Sequence, residues 1–517
     1  MKIIYGIISL ALVQGCSPGD PDNVGLALKK AGANRHELEK VLDHYRHDED
    51  SLRLKAAWFL ISNMEGRHSF KGELPDSYDS LFRTAHEKIR SGDTYIHWDS
   101  LEKSILSGGP DQIAPAPDLE NIRSEYLISN IDRAFEAWHR PMARGLTFQE
   151  FCEYLLPYRI ADEPLEDWRT IALDKYRKLI DSAQKNADYN DGCDIINTGL
   201  MKHYQIGFGA PVHCPYTRPL QDVMLMQAGS CTDAAEMTTQ IMRAGGVPVG
   251  IDFIPNWGNS DLGHSWNVFL SDHKNIPFMG TESNPGLTKL GYFRKNTIFR
   301  RMPKVYRQTF AIQQDRVSFL TANHNDVPDF FQNVNMIDVT SQYLPVTDAH
   351  IKLNKIPGEV RSAYLCVFDN RDWRAVGFSA VQGNDVQGND AIFKDMGQSI
   401  VYLPMFYQHH KYIPAADPFL LDQKGAISSF VADPSLKRTI TLSRKYPEDE
   451  SNLVEPGDHY ELFYWHSGWV SLGQQTAAEK TLRYNNVPEN ALLLLRDLTK
   501  GKQERIFTYK NNQQIWW

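Results

Sequence analysis

One stretch of the sequence, Gln227–Gly286, carries most of the information about the fold. It reads QAGSCTDAAEMTTQIMRAGGVPVGIDFIPNWGNSDLGHSWNVFLSDHKNIPFMGTESNPG. Ser230 is a typical N-cap, residues Cys231–Ala244 have the apolar spacing of a helix, and two glycines follow where that helix would end. Three later segments are rich in β-branched and aromatic residues and are predicted strands: Val247–Phe253, Trp266–Leu270 and Ile276–Thr281. The stretch therefore predicts one helix followed by antiparallel strands.

Cys231 occupies the first turn of this predicted helix. The unpaired backbone N–H groups and the positive end of the helix dipole lie there, and both stabilise a thiolate relative to a thiol. His264 begins one strand and Glu282 follows the next strand along the chain. If these strands are antiparallel neighbours, an imidazole can accept the thiol proton while a carboxylate orients the ring. The segment thus predicts a catalytic set of Cys231, His264 and Glu282.

Two tryptophans of the same segment are predicted to bind substrate. Trp266 comes two residues after His264, so it shares the same face of the strand, and Trp257 lies in the loop before that strand. Acyl chemistry also needs a hydrogen-bond donor for the oxyanion. The backbone N–H of Cys231 and the side chain of Gln227 are the candidates.

The spacing of these residues resembles the core of the transglutaminase-like superfamily. The segments that carry the resemblance are Gly229–Cys231, Gly246–Pro248, His264–Trp266 and Glu282. The resemblance implies a papain-like cysteine α+β core that works without a metal or other cofactor, and by analogy it makes the Trp257 indole a further oxyanion donor. The usual acid in that family is aspartate, so Glu282 is a departure, and Asp272 is the alternative third residue.

The first residues of the chain indicate export. A basic start is followed by the apolar run Ile3–Val13, and Leu12–Cys16 resembles a bacterial lipobox. Residues 1–16 are therefore predicted to be a lipoprotein signal peptide with Cys16 as the lipidated residue, which would anchor the protein to the membrane of the bacterial envelope, at the outer membrane or cell surface. The alternative is a plain signal peptide in which Cys16 is incidental.

The remaining sequence predicts an α+β multidomain protein with five parts. After the signal peptide (residues 1–16) we expect a helical N-terminal region (22–120), the transglutaminase-like core (121–310), a β domain (311–430) and a C-terminal β domain (431–517). Asn34 and Glu37 have the spacing of a capping box for a helix over Arg35–Tyr45. The short strands of the last two parts favour antiparallel β-sandwiches. The wider chain resembles exported lipoproteins of Bacteroidetes type with this organisation.

The composition excludes several classes of protein. The 517 residues are 42% hydrophobic and 23% charged, which is typical of globular chains. The net charge of -9 offers no general attraction to nucleic acid. Six cysteines are too few for a disulfide scaffold. His203, His213 and Cys214 lack the further ligand that a zinc site needs, so no metal is predicted.

The sequence therefore predicts a cysteine hydrolase or acyltransferase that acts on a peptide, a glycopeptide or a cell-wall amide. Water as the acyl acceptor would make it a peptidase or amidase, and a lysine would make it a cross-linking enzyme. A cysteine peptidase of papain-like ancestry uses the same thiol and imidazole chemistry. The alternative from another class is a catalytically silent surface lipoprotein that binds glycan or protein through its C-terminal β domains.

Overall fold

The computed structural model describes residues 21–47, 51–91, 113–185, 189–206, 214, 216–271, 274–285, 294–295, 298–324, 326–370, 372–381, 389–447, 452–501 and 504–517. The predicted signal peptide, Cys16, His213 and Asp272 lie outside these residues. The fold is mixed α+β with a β-rich C-terminal region, which confirms the predicted fold class at that level. Within the described ranges, no helix combines the length and apolar character that crossing a bilayer requires.

Helices dominate the first half of the chain. They are α1 (Pro21–Lys30), α2 (Arg35–Tyr45), α3 (Ser51–Ser62), α4 (Glu73–Arg90), α5 (Asp118–Asn121), α6 (Ser124–Trp138), α7 (Phe148–Tyr154), α8 (Trp168–Gln184), α9 (Tyr189–Met201), α10 (Leu220–Met226) and α11 (Cys231–Ala244). One apolar core joins α1–α3 to α6 and α7. A second core joins α8–α11 to the central sheet. Short strands β1 (His68–Lys71) and β2 (Ala114–Pro117) pair with each other, as do β3 (Gln205–Ile206) and β4 (Ala228–Gly229).

The predicted limits of α2 are confirmed, but its predicted capping box is wrong. Asn34 has helical backbone angles and donates its amide to the carbonyls of Leu119 and Ile122. The carboxylate of Glu37 accepts hydrogen bonds from the backbone N–H of Ser124 (2.8 Å) and from its hydroxyl (2.7 Å). Both side chains therefore bond a distant segment instead of the start of their own helix.

The centre of the molecule is a five-stranded antiparallel sheet covered on one face by α11. Its strand order is β11-β10-β5-β6-β7. The strands are β5 (Val249–Ile254), β6 (His264–Ser271), β7 (Lys274–Phe278), β10 (Tyr306–Gln308) and β11 (Met336–Asp338), with a small β8 (Arg294–Lys295) and β9 (Ile298–Phe299) pair between them in sequence. From Ala234 to its end α11 is buried. Gly246, at φ +82°, closes the helix where a Cβ would come within 2.4 Å of the carbonyl oxygen of Ala137.

The C-terminal region consists of antiparallel sheets, as predicted. The first group follows helix α12 (Gln314–Ala322) and contains β12 (Val346–Lys352), β13 (Ser362–Asp369), β14 (Asp372–Ala380), β15 (Asp390–Gly397), β16 (Ile400–Gln408), β17 (Lys411–Pro414), β18 (Phe419–Leu421) and β19 (Ile427–Ser429). The second contains β20 (Asp433–Leu442), β21 (His459–Trp465), β22 (Trp469–Thr476), β23 (Leu482–Glu489), β24 (Leu493–Asp497), β25 (Ile506–Lys510) and β26 (Gln513–Trp516). In each group a two-stranded sheet shares an apolar core with a larger sheet.

Candidate active site

Cys231 is the first residue of α11, as its sequence context predicts. Ser230 is the N-cap, and its hydroxyl accepts a hydrogen bond from the backbone N–H of Asp233 (3.2 Å). The Asp233 carboxylate in turn accepts from the N–H of Ser230 (2.7 Å). This reciprocal capping box fixes where the helix begins. It therefore holds the free, half-buried thiol of Cys231 at the positive end of the helix dipole.

The other cysteines that the structure describes occupy different environments. Cys152, Cys193 and Cys366 are buried, and burial raises the pKa of each thiol. Burial also raises the pKa of Cys214, to about 12. A high thiol pKa leaves little thiolate at neutral pH. These four cysteines are therefore poor nucleophiles, and Cys231 is the candidate among the described thiols.

Arg218 and Asp233 form an ion pair at the start of α11. Arg218 donates to both carboxylate oxygens of Asp233, at 3.1 Å from Nε and 2.7 Å from Nη2. Burial by itself acts to raise the pKa of Asp233, but Arg218 and the hydrogen bonds from Ser230 outweigh burial, so the pKa is lowered. Asp233 thus stays ionised and the capping box stays intact. In the sequence, Arg218 is separated from Cys231 by α10. No local pattern therefore indicated that it pairs with Asp233 at the start of α11.

The hydroxyl of Tyr204 lies beside Gly229, close to Arg218. A Cβ added at Gly229 would come within 2.2 Å of this hydroxyl and within 2.8 Å of Arg218 Nη2. Within the described residues, neither the Tyr204 hydroxyl nor Nη1 of Arg218 has a hydrogen-bond partner. Burial raises the pKa of Tyr204, so its hydroxyl keeps its proton at neutral pH. Two buried donors therefore stand beside the residue pair that precedes Cys231.

His264 begins β6, as predicted, and its ring lies among aromatic side chains. The ring centroid is 6.0 Å from that of Trp257 and 6.0 Å from that of Trp266. Burial, followed by the positive charge of Arg300, lowers the pKa of His264 to about 4. The imidazole is consequently neutral at pH 7, which is the form that accepts a proton.

The beginnings of α11 and β6 lie next to each other. The hydroxyls of Thr232 and Ser265, each one residue beyond the predicted nucleophile and base, are 3.3 Å apart. Asn267 also contacts α11, since its amide donates to the carbonyl of Ala235. Successive side chains of a strand point to opposite faces. Ser265 and Asn267 thus lie on the α11 face of the sheet, while His264 and its neighbour Trp266 belong to the opposite face.

Both predicted substrate-binding tryptophans are buried. The Trp266 indole donates to the hydroxyl of Tyr343 (3.0 Å). The loop that carries Trp257 is held by the C-terminal region: a Cβ at Gly258 would meet Ile400 at 2.6 Å, and the N–H of Leu262 donates to Asp369. The first β group therefore supports the loop that precedes His264.

Glu282 is exposed and lies in a turn beyond β7. The prediction that this strand continues to Thr281 is wrong, because β7 ends at Phe278. Beyond it, the N–H of Met279 donates to the carbonyl of Ser283, that of Gly280 donates to the Asn267 side chain (3.0 Å), and that of Thr281 donates to the Asn197 side chain (2.8 Å). Glu282 is therefore carried on a turn rather than on the end of a paired strand.

Gln227, the other predicted oxyanion donor, follows α10 in a left-handed conformation (φ 51°) with an exposed side chain. In the part of the chain that the structure describes, there is no group of three or more His, Cys, Asp or Glu residues able to hold a metal ion.

The sequence was compared with protein-family models and with curated proteins. No family model and no curated protein matches it.

Proposed function

We propose that this chain performs thiol-dependent acyl transfer or amide hydrolysis, with Cys231 as the nucleophile. The observation that supports this most directly is the position of Cys231. Its half-buried thiol lies at the first residue of a helix with a complete capping box, whereas burial raises the pKa of the other four described thiols. A helix N-terminus favours the thiolate, which is the reactive form.

His264 is the proposed base and Glu282 the proposed orienting acid. The contact between Thr232 and Ser265 supports the first role, because it brings the beginnings of the two elements together. Burial lowers the pKa of His264 to about 4, so the ring is neutral at pH 7 but is a weak base. The resemblance of the Gly-Ser-Cys, His-Ser-Trp and acid pattern to the transglutaminase-like superfamily supports both roles.

The proposed reaction has two stages. His264 accepts the proton of the Cys231 thiol as the sulfur attacks an amide carbonyl carbon, and the oxyanion that forms accepts a hydrogen bond from the backbone N–H of Cys231. The His264 imidazolium gives its proton to the leaving amine, the C–N bond breaks, and a thioester remains. Water or a primary amine then attacks the thioester while His264 accepts its proton, which releases the acyl product and the thiol.

The setting proposed for this chemistry is the bacterial envelope. If Cys16 is lipidated, the protein is tethered to the outer membrane or cell surface, where peptides, glycopeptides and cell-wall amides are the available substrates. The tether is supported by the lipobox-like segment Leu12–Cys16. Hydrolysis is the preferred outcome because water is the most abundant acyl acceptor in that setting.

The second candidate is a silent binding protein that retains the same scaffold. The specific observation in its favour is the orientation of β6: Ser265 and Asn267 face α11, so the alternation of the strand assigns His264 to the other face. In that case the ring would serve the packing of Trp257 and Trp266.

Thiol reactivity separates the two candidates. Iodoacetamide at pH 7 should label Cys231 at least tenfold faster than any other cysteine of the full chain, and Cys231→Ala should abolish the fast phase while the matched control Cys193→Ala leaves it unchanged. A panel of peptides and glycopeptides should then be cleaved, or coupled to an amine, by the wild type and not by Cys231→Ala. Equal labelling of all cysteines, together with no turnover, would favour the binding protein.

A test of the base follows from the same assay. His264→Asn should slow both the labelling and the turnover at least a hundredfold, because the thiol loses the group that accepts its proton. Unchanged labelling by this variant, with its fold intact by circular dichroism, would remove His264 from the mechanism.

A further inference from the structure

A cleft of about 950 Å³ lies between one edge of the central sheet and the first β group. Its walls come from β10 and β11 of the central sheet, from the start of α12, and from β12, β14 and β15. β11 is an edge strand of the central sheet, and β10 and β5 separate it from β6. The cleft is therefore not part of the proposed Cys231 site. Its volume is at the upper end of the range of small-molecule pockets.

Arg316 is a buried cation in the wall of this cleft. The residue is only 5% exposed. Its Nε donates to the carbonyl of Met336 (3.0 Å), and its guanidinium carbon lies 5.2 Å from the centre of the Tyr306 ring. Among the described residues no carboxylate forms an ion pair with it, and the enclosed Nη1 has no hydrogen-bond partner. A buried charge without a counter-ion is costly, so this guanidinium suits an anionic group that enters the cleft.

The other charges of the cleft are either paired or exposed. Lys304 is also buried, but the Asp338 carboxylate binds it. The rim carries side chains of both signs, which give it no general preference for an anion or a cation: Asp315, Asp390, Asp395, His350, Lys352 and Lys394. Arg316 is therefore the buried charge in the described wall of the cleft that lacks an ion pair.

The backbone of the first β group leaves this space open. The register of β14 against β13 shifts by one residue, so that Val376 has no partner residue in β13. The Tyr306 hydroxyl donates to the carbonyl of Val376 (2.8 Å). The next residue, Gly377, lines the cleft, and a Cβ there would come within 3.3 Å of the sulfur of Met396. A bulge followed by a glycine within a strand is typical of a place where a ligand approaches the backbone closely.

Much of the remaining wall is apolar. Buried side chains of three strands form it: Met336, Ile351, Ala391 and Met396. Methionine is flexible and polarisable, so it packs against apolar groups of different shapes. A small inorganic anion would leave most of this wall and of the volume unfilled. The combination of one buried cation with an apolar wall instead suits a molecule that has an anionic head group and an apolar chain.

We propose that this cleft binds an amphipathic anion. The carboxylate or phosphate head group lies against Arg316 and accepts from Nη2, because Nε is already bonded and Nη1 is enclosed. The apolar chain packs on Met336, Ile351 and Met396, which removes its surface from water. This binding site is independent of the proposed function, since it does not involve Cys231.

Binding is tested with the full chain and a fluorescent carboxylate. The probe is 11-(dansylamino)undecanoic acid, whose emission rises in apolar surroundings, and its methyl ester is the uncharged counterpart. The acid should bind at least tenfold more tightly than the ester, because only the acid neutralises Arg316. The wild type and Cys231→Ala should bind it equally. Equal affinities of the acid and the ester would overturn the inference.

Displacement of the bound probe identifies both parts of the ligand. Dodecanoate should displace it at far lower concentration than dodecanol, which lacks the charge, or acetate, which lacks the chain. Dodecyl phosphate acting at lower concentration than dodecanoate would identify a phosphate head group, and the reverse order would identify a carboxylate. Acetate or the peptide Ala-Glu-Ala-Glu acting as strongly as dodecanoate would overturn the amphipathic site.

Variants of Arg316 assign the charge. Arg316→Gln should weaken binding of the acid at least tenfold and leave the ester unchanged, whereas Arg316→Lys should retain part of the preference. The matched control is Arg374→Gln, an exposed arginine of β14, which should change the affinity less than twofold. A folded Arg316→Gln variant that binds the acid as the wild type does would overturn the proposed site.

A second pair of variants does not touch the Arg316 contact with Met336. Ile392 lines the rim and is 41% exposed, so Ile392→Glu adds a negative charge there without disturbing the core. It should weaken binding of the acid at least fivefold by repelling the head group. Ile427→Glu, at a similarly exposed isoleucine of β19 outside the cleft, is the matched control. Losses of the same size in both variants would show a general charge effect and contradict binding in this cleft.

Discussion

The two faces of strand β6 are constructed in different ways. On the face toward α11, Asn267 donates to the Ala235 carbonyl and the Thr239 hydroxyl, both at 2.9 Å, and accepts from the N–H of Gly280. One neutral side chain thereby ties the strand to the helix and to the following turn. The opposite face carries charge: in the adjacent strand β5, across from Trp266, Asp252 is buried against Arg307.

This difference shows what each face contributes. The neutral face uses short hydrogen bonds that fix the position of α11, and with it the position of Cys231. The charged face carries a hydrogen-bond network. Arg307 donates to both oxygens of Asp252 (2.7 and 2.8 Å). The Tyr343 hydroxyl also donates to Asp252, and it accepts a hydrogen bond from the indole of Trp266. This network fixes the position of Trp266, whose ring lies beside that of His264. Four measurements test this division.

The largest effect is expected at the charged face. Asp252→Ala would leave the Arg307 guanidinium buried without its counter-charge, which costs about 3–5 kcal/mol of unfolding free energy. Urea unfolding of the variant and the wild type measures the loss. The control is Asp372→Ala, whose exposed ion pair with Arg374 should contribute less than about 1 kcal/mol. Equal losses in both variants would contradict the role of the buried pair.

The second effect depends on pH and concerns His264. Its pKa in the folded protein is lowered to about 4, whereas an unfolded histidine titrates near 6.5. The unfolded chain therefore binds more protons between these values, so the contribution to stability is complete above pH 6.5 and is lost as the pH falls toward 4. The loss is on the order of 3 kcal/mol. In His264→Gln the difference in unfolding free energy between pH 7 and pH 4.5 should be smaller by about 2 kcal/mol, because pH 4.5 is still above the folded pKa. An unchanged difference would show that the ring is not buried as neutral imidazole.

The third effect tests the neutral face. Asn267→Ala would remove three hydrogen bonds and leave the buried N–H of Gly280 without an acceptor, for a loss of about 2 kcal/mol. Because α11 would be less firmly held, iodoacetamide labelling of Cys231 should also change in rate. Asn275→Ala in β7, a half-buried position with one hydrogen bond to Gln342, is the matched control. A stability loss no greater than that of the control would mean that Asn267 does not join helix and strand.

The smallest effect is expected from Tyr343→Phe. This change keeps the ring but removes the hydroxyl that links Trp266 to Asp252, so about 1 kcal/mol of unfolding free energy should be lost. Tryptophan fluorescence should shift as the Trp266 indole loses its acceptor. Tyr407→Phe, on the C-terminal β16, should change neither quantity. If Tyr343→Phe changes neither the unfolding free energy nor the fluorescence, the hydrogen-bond network does not fix the position of Trp266 beside His264.

Local signals predicted part of this structure correctly. The limits of α11 follow from Ser230 and Asp233 at one end and from Gly245 and Gly246 at the other. The start of β6 at His264 was likewise predicted. In each case the deciding hydrogen bonds or turn residues lie within a few positions of one another in the chain.

Other predictions failed where a distant residue competed with a local one. The strand β7 stops at Phe278, and the backbone N–H groups of the next three residues donate to Ser283, Asn267 and Asn197 instead of to a neighbouring strand. Glu37 bonds Ser124 rather than capping its own helix. Competition of this kind depends on which segments meet in the folded chain, so the sequence pattern near each residue could not reveal it.

By itself, the sequence determined that a cysteine begins a helix and that a histidine begins a nearby strand, because capping and strand alternation act over a few residues. Only the tertiary structure decided which face of β6 meets α11. It also decided that Tyr204 and Arg218 lie beside Gly229. The physical reason is that burial, ion pairing and the sharing of a cavity are properties of residues far apart in sequence, and they exist only once the chain has packed.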